Sequence, residues 1–222
     1  PHDIVYPAIP RVLQRFAADY PRVRVNLVSS MTRRLLRLFE RGECDMIVTT
    51  EDGCGPGGET LTELPLAWIG ARGGSAWRQR PLKLAFEQDC IFRQGVIAAL
   101  DASGIEWEMS VESDSFRTVE ATVSADLGVV ALLSGMEGPL LERVQHGGAL
   151  PDLAQKRINL YVSELSRGKP AQDLAELIRQ TARAFAQERV LPGAQERDQK
   201  GRFPADLLPA LGKLGLLGVK VP

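Results

Sequence analysis

Histidine, cysteine and aromatic residues are all scarce in this 222-residue chain, at two, three and 6%. Neither His2 nor His146 neighbours a serine or cysteine in a nucleophile motif, and no His, Asp or Glu grouping has metal-ligand spacing. No metal, catalytic residue or cofactor is therefore expected. Cys44, Cys54 and Cys90 are odd in number and lack redox spacing, which suits a reducing cytoplasm better than a disulfide scaffold. Charge of one sign is also missing. The 27 Lys and Arg residues against 28 Asp and Glu leave a net charge of -1, which gives no footprint for nucleic acid or a membrane surface. No run of about eighteen apolar residues occurs, so no transmembrane helix is expected. The opening Pro-His-Asp-Ile is neither a start methionine nor a signal peptide, and reads as cut from something longer. There is no fixed-period repeat and no low-complexity tract. What is there is 44% hydrophobic and 25% charged, an ordinary globular composition with room for one large domain or two small ones.

The chain is organised around residues 22–51. Val23, Val25 and Leu27 alternate with Arg22, Arg24 and Asn26, the period of a strand with one covered face. Leu35, Leu36 and Phe39 recur at helical spacing, and Gly42 sits where a helix C-cap glycine belongs. Met46 to Thr50 predicts a second strand. The three pieces predict a βαβ unit with a right-handed, parallel crossover. In open sheets of that kind ligands bind outside the carboxyl ends of the strands. Those ends carry Ser29, Ser30, Thr32 and Thr49, Thr50, Glu51. The plainer alternative is that Ser29 or Ser30 caps the helix and the threonines are strand residues.

Around this core the grammar repeats. Residues 4–19 predict a helix with Ile9, Val12, Leu13 and Phe16 on one face, capped by Asp3 and starting near Tyr6 or Pro7. Leu61 to Leu64 and Leu66 to Ala71 predict strands, and residues 72–80 mark a crossing into a second lobe. There Cys90 to Arg93 predicts a short strand, 94–103 a helix stopped by Gly104, and Trp107 to Val111 a strand. A helix capped by Ser113 or Asp114 carries Phe116, Val119 and Val123 and closes at Gly128. Val129 to Leu133 predicts a buried strand. Ile158, Leu160 and Val162 alternate and carry the chain back. Residues 171–189 predict the longest helix, ended by Pro192-Gly193, and 204–214 a further one.

Three local features invite sharper readings. Gly53, Gly55 and Gly58 satisfy G-x-G-x-x-G after a strand. A dinucleotide loop must open a helix, however, and here Glu59-Thr-Leu-Thr-Glu-Leu alternates like a strand, so a flexible surface loop is the better account. Arg93, closing its predicted strand, faces the serine and threonine cluster and suits a small carboxylate; its alternative is a surface ion pair with Glu87 or Asp89. Asp114, Ser115 and Phe116 open a helix whose amides suit an anion, although capping alone explains Asp114. Arg33, Arg34, Arg37 and Arg41 lie near Glu40, Glu43 and Asp45, which reads as a solvated mixed-charge face rather than a nucleic-acid patch.

Several pieces in order, "IPRVLQRFAADYPRVRVNLV", "LLRLFERGECDMIVTT", "LTELPLAWIGARGG", "CIFR" and "EATVSADLGVVAL", resemble the effector-binding half of LysR-type transcriptional regulators over roughly residues 1–180. The resemblance implies a two-lobed α/β fold like the type 2 periplasmic binding proteins. Lobe I would comprise 1–70 and 157–180 and lobe II 71–156, with crossings near Trp68–Gly73 and Arg157–Val162. A small-molecule effector would sit between the lobes, touched by His2, Ser29, Ser30, Thr32, Thr49, Thr50, Arg93 and Ser115. It also implies a homodimer or tetramer, and DNA contact only through a helix-turn-helix that would precede residue 1. The family's first strand would also end just before Pro1, leaving its place in the sheet unfilled. From about residue 178 the chain instead resembles the opening helices of an acyl-CoA dehydrogenase. That resemblance covers Pro192, the Phe203-Pro204 helix start and Leu214 to Gly218, without that family's flavin site or catalytic glutamate. The expectation is non-catalytic effector sensing with a helical tail at 181–222. A solute-binding protein of a transporter and a fragment of an acyl-CoA dehydrogenase are the alternatives.

Overall fold

The computed structural model describes Pro1, residues 8–166 and residues 168–185. Helix α1 (Ala8–Asp19) buries Val12 and Phe16, the positions its spacing predicts. The Tyr20 hydroxyl just beyond it donates to the Asp173 carboxylate of α5 (Lys169–Phe185), so the first and last described helices are fastened together. The start near Tyr6 or Pro7, the Asp3 cap, the Pro192-Gly193 stop and the helix at 204–214 lie outside the described residues.

The strand expected at 22–27 does not form. Residues 22–31 enter no sheet, and Val23, Val25, Leu27 and Val28 are 42%, 38%, 52% and 44% exposed. Alternation specifies which side chains share a face; it does not supply a neighbour for the backbone, and no described strand pairs with this one. The predicted βαβ unit is therefore absent. Its helix does form, as α2 (Thr32–Glu40), with Leu35 buried. Gly42, at φ +71°, ends it: Gly42 N–H bonds Phe39 C=O and Glu43 N–H bonds Leu38 C=O, both at 2.9 Å. That double closure needs a left-handed residue, which glycine adopts freely. Met31 occupies the N-cap and makes no side-chain cap bond, so neither Ser29 nor Ser30 caps the helix.

β1 (Met46–Glu51) comes next in the chain, and pairs antiparallel with β7 (Gln155–Val162). The other side of β7 takes β2 (Gly58–Ala71), also antiparallel. β1 and β2 are thus parallel, separated by one strand, and joined by residues 52–57 alone. β1 ends with Glu51 opposite Arg157, whereas β2 begins with Gly58 opposite Tyr161. The connection must therefore run back four residues along β7, about 13 Å at 3.3 Å per residue. It does so as a strap fastened to β7. Asp52 pairs with the buried Lys156, the Asn159 side-chain amide donates to Gly53 C=O at 2.6 Å, and Gly55 N–H donates to the Tyr161 hydroxyl at 2.8 Å.

β2 is one strand of 14 residues where two were expected. Up to Pro65, which faces Gln155, it belongs to β7; from Leu66, which faces Leu133, it belongs to β5 (Val130–Leu133). Proline has no N–H to offer a ladder and is well placed at such a change of partner. Leu66 N–H bonds Ala154 C=O at 3.3 Å, just past the end of the β2–β7 ladder. The exchange falls earlier than Trp68–Gly73 on the way out and earlier than Arg157–Val162 on the way back.

The second lobe contains a strand not anticipated, β3 (Leu82–Glu87), parallel to β4 (Trp107–Ser113). β3 is tied to the start of β5 through Ala85 N–H to Val129 C=O (2.9 Å) and Val129 N–H to Lys83 C=O (2.8 Å). β6 (Leu141–Arg143) lies on the other side of β2. Helices α3 (Arg93–Ala102) and α4 (Phe116–Ser124) cover this sheet, burying Val96, Leu100, Val119 and Val123 completely. The strand expected at Cys90–Arg93 is instead a turn, closed by Cys90 N–H to Glu87 C=O and Arg93 N–H to Cys90 C=O. Its apolar residues pack into the core from that turn, which is why they read as a strand. Gly128 does not close α4, which ends at Ser124. A Cβ there would lie 3.0 Å from Lys83 C=O, so its role is close approach to β3.

Gly58 is closely confined by its neighbours: a Cβ there would stand 2.4 Å from the Tyr161 ring and 2.9 Å from Cys54 Sγ. Gly58→Ala is expected to lower stability by roughly 1–3 kcal/mol through overpacking, read as a shift in the urea midpoint. An unchanged midpoint would show that the strap does not rest on Tyr161.

Candidate functional site

A cavity of about 30 Å³ opens where the lobes meet. From the first lobe it is lined by Pro1, Met31 and Thr32. From the second it takes Phe86 and Glu87 at the end of β3, the turn Cys90 to Phe92, Phe116 and Val119 of α4, and Val130 to Leu132 of β5. That volume holds roughly two water molecules. The carboxyl end of β3 and the first turns of α2 and α4 converge there, the arrangement expected of a ligand site in an α/β sheet.

The site residues expected from sequence divide in three. Thr32 is 4% exposed and lines the cavity. Its hydroxyl accepts from Thr50 N–H at 3.2 Å and is aligned to donate to Thr50 C=O at 3.3 Å. It thereby closes the outer edge of β1, much as a neighbouring strand would. Thr50 stands directly behind it, and Ser115 is the N-cap beside the lining residue Phe116. Of these three only Thr32 lines the cavity itself. Ser29 is exposed and Ser30 half-buried, just short of Met31, and neither lines the cavity. Thr49 is buried on another side, donating to Glu51 Oε1 at 2.5 Å. Arg93 does not close a strand. It opens α3, and its guanidinium forks onto Glu112 at 2.9 and 3.1 Å, with neither Glu87 nor Asp89 the partner. His2 lies outside the described residues.

Sequence reasoning missed Phe86, Glu87, Cys90, Ile91 and Phe92 as lining residues. The signal is a six-residue, largely apolar run, Leu82 to Glu87, ending in a buried carboxylate. Its neighbour Cys90-Ile-Phe draws the strand assignment away from it. Ser113 Oγ, not Asp114, supports the entry to α4 by accepting from Ser115 N–H at 3.1 Å. His146 is half-buried. Its Nδ1 accepts from Leu150 N–H at 3.3 Å, and burial pushes its pKa down.

A second polar cluster lies beneath the strap. Glu51 Oε1 accepts from Thr49, from the Asn159 amide (2.9 Å) and from the Tyr161 hydroxyl (2.9 Å), while Thr60 donates to Asn159 Oδ1 at 2.9 Å. Burial pushes the Tyr161 pKa up to about 12; the Gly55 N–H pulls it down, and the hydrogen bond and charge of Glu51 raise it again. The glycines of the G-x-G-x-x-G match belong to this cluster. Gly55 and Gly58 press against the Tyr161 ring, and the loop is pinned rather than flexible. Among the described residues no group of three His, Cys, Asp or Glu is placed to hold a metal ion, and no helix is long and apolar enough to cross a membrane.

The family described as LysR substrate binding domain matches residues 1–183. This chain belongs to that family. Its fold matches solved LysR-type domains: a regulatory domain of an OxyR2 variant from Vibrio vulnificus (TM-score 0.61, 17% identity, 81% of this chain and 91% of that one). The CcmR regulatory domain of Synechocystis PCC6803 in complex with 2-PG aligns at TM-score 0.62 and 14% identity, over 78% and 90% of the two chains. The effector-binding domain of QuiR in complex with shikimate aligns at 0.62 and 10%, over 81% and 92%. At these identities the likeness shows the fold, the two-lobed type 2 periplasmic-binding-protein-like α/β architecture. Among curated relatives, the transcriptional regulator DgdR of Burkholderia cepacia is 26% identical over 124 residues, 55% of this chain and 42% of DgdR. The chain thus spans less than half of that relative. Residues 172–222 match the acyl-CoA dehydrogenase N-terminal domain. There the bovine mitochondrial short-chain enzyme is 40% identical over 47 residues, 21% of this chain and 11% of the enzyme.

The Tyr161 phenol makes stability depend on pH with a definite sign. Its folded pKa of about 12 lies above the ordinary 10.0. The stabilisation it contributes is therefore whole below pH 10 and is lost as pH rises toward 12. Urea midpoints measured across that window are expected to fall more steeply for the wild type than for Tyr161→Phe. Parallel curves would dissociate the phenol from the cluster.

Proposed function

We propose that this chain senses a small-molecule effector as the ligand-binding part of a LysR-type transcriptional regulator, working in the cytoplasm, with no bond made or broken at the site. The observation that carries this reading is the cavity at the meeting of the lobes. It admits roughly two waters as it stands, so a metabolite enters only if the walls move. Occupancy is then coupled to lobe arrangement, and the bound effector shifts the population of lobe states. DNA contact belongs to a helix-turn-helix elsewhere in the regulator. Thr32, with Thr50 behind it, is the part of the expected set that such an effector meets first, and Ser115 adjoins the lining residue Phe116. Ser29, Ser30, Thr49 and Arg93 become contacts only in a more open state, and His2 remains a proposed contact. On this reading the sensing domain ends near residue 180. The tail from 181, similar to the start of an acyl-CoA dehydrogenase, takes no part in binding.

The test is ligand-dependent thermal shift of the whole chain with a panel of small organic acids, alcohols and amines, in the wild type and in Met31→Trp. Met31 sits at the rim, half-buried, and an indole there fills the cavity. At least one compound is expected to raise the wild-type midpoint and leave the variant unmoved. Equal shifts in both would place binding elsewhere, and a flavin absorbance in the purified chain would favour the dehydrogenase reading.

Homodimerisation rests on a separate observation. Residues 22–28 form an extended strip in which Arg22 and Arg24 alternate with exposed Val23, Val25 and Leu27. β4, at the edge of its sheet with the exposed Glu106 just ahead of it, alternates Glu108, 3.8 Å from the Lys83 ammonium, and Glu112, held by Arg93, with half-buried Trp107, Met109 and Val111. Two open edges of opposite charge on one chain suit a two-fold pair, each strip meeting the partner's β4. Arg22→Glu/Arg24→Glu and Glu106→Arg/Glu108→Arg are each expected to sediment as monomers, and an equimolar mixture to restore the dimer. A mixture that stays monomeric would remove these edges from the interface.

A further inference from the structure

We infer that the arginine face of α2 docks an extended acidic segment of a partner protein, whatever molecule occupies the cleft. Of residues 32–41, four are arginine and only Glu40 is acidic. At about 100° per residue, Arg33, Arg34, Arg37 and Arg41 fall within one arc of about 100°. All four are exposed. The opposite side of the helix carries Leu35 and Phe39, which pack with Ile47 and Tyr161. Of the acids nearby, Glu43 takes Arg41 at 2.5 Å, and the Asp45 carboxylate accepts from the Ser166 hydroxyl at 2.6 Å. Among the described residues Arg33, Arg34 and Arg37 have no ion-pair partner, and Glu40, three residues from Arg37, pairs with none of them.

This arrangement works against the helix. α2 has no acidic residue in its first turn, and Arg33 and Arg34 set two cations beside the partial positive charge of its N-terminus. Arg37 repels Arg33 and Arg34 at the four- and three-residue spacings where opposite charges would attract. The helix is held by Leu35 and its apolar neighbours, so the fold gains nothing from these cations. Local conflict without a compensating contact marks a functional surface. The residue type then specifies the partner, because a guanidinium forks onto a carboxylate in a way an ammonium does not. Arg33 and Arg37 stand about 6 Å apart along the axis. Every second residue of an extended chain is about 6.6 Å from the last, so carboxylates on alternate residues meet successive arginines. A net charge of -1 supplies no wider basic field of the kind a nucleic-acid duplex requires, and a short acidic peptide is the occupant that fits. The face also adjoins the cleft, since Thr32, the residue before Arg33, lines the cavity.

Fluorescence anisotropy of the whole chain with a labelled dodecapeptide alternating glutamate and serine tests this. Arg33→Glu/Arg34→Glu is expected to weaken binding at least tenfold. By relieving the conflict at the helix N-terminus it should also raise the thermal midpoint by about 2–4 °C. Arg37→Ala, which leaves the first turn untouched, should weaken binding at least threefold. Arg72→Glu/Arg117→Glu makes the same change of net charge at exposed positions of the second lobe and should leave binding within twofold. An equal loss in that second-lobe variant would reduce the attraction to a diffuse one and overturn the assignment. So would a lowered midpoint in Arg33→Glu/Arg34→Glu, which would give the arginines to the fold. No peptide binding by the wild type, or tighter binding of a DNA duplex of equal charge, would overturn it too. None of these outcomes bears on the cavity, which Met31→Trp tests separately.

Discussion

One strand serves two sheets, and the positions of everything else depend on it. β2 is bonded to β7 as far as Pro65 and to β5 from Leu66 onward, and the returning chain meets it at Ala154. The lobes cannot slide independently, because their sheets share this backbone. They can tilt, because at the exchange the ladder is thin. Proline has no N–H to donate there, and the ladder to β7 runs out in the Leu66 N–H to Ala154 C=O bond, while Pro65 C=O accepts from Ser134 N–H on the β5 side. Just beyond it, Trp68 is 2% exposed and its indole N–H donates to Pro151 C=O at 2.9 Å. The returning chain is thus held against the outgoing one on the second-lobe side. The starts of α2 and α4 are carried on opposite sides of this joint and brought face to face across the cavity.

Much of the architecture is legible in the residues, and the failures have physical causes. Helical faces read correctly wherever apolar spacing and a terminating glycine agree, as at Leu35 with Gly42 and at Val96, Leu100 with Gly104. Edge pairing is not legible. Val23, Val25 and Leu27 alternate as a strand should, yet alternation describes side chains and pairing is a property of two backbones. The apolar run Leu82 to Glu87 escapes notice because it is buried on both faces and so carries little period-two signal, while Cys90-Ile-Phe stands out beside it.

The candidate site shows the same division. Thr32 stands out for lying near a strand end, and it does line the cavity. Arg93 stands out on the same ground and does not, because its place depends on a strand that is a turn and its charge is taken up by Glu112. Glu87 can be weighed only once β3 is known to end beside α4. The strand-like run Glu59 to Leu64 rightly separates the G-x-G-x-x-G spacing from phosphate binding. The real constraint on those glycines, the Tyr161 ring beneath, comes from a residue about a hundred positions later in the chain. Local patterns are readable; partnerships across the joint are not.

The strap between β1 and β2 has a consequence for how the molecule assembles. β1 and β2 are neighbours in sequence yet lie apart in the sheet, because the strand between them is β7, contributed after the whole second lobe has been traversed. Neither can complete its ladder during synthesis until residues 155–162 have left the ribosome. The first lobe therefore has no contiguous version: a fragment ending near residue 70 would carry two parallel strands with an empty lane between them and a glycine bridge spanning nothing. Closing that lane joins segments of high sequence separation, which places this step late on the folding route and makes the nascent chain a customer for chaperones.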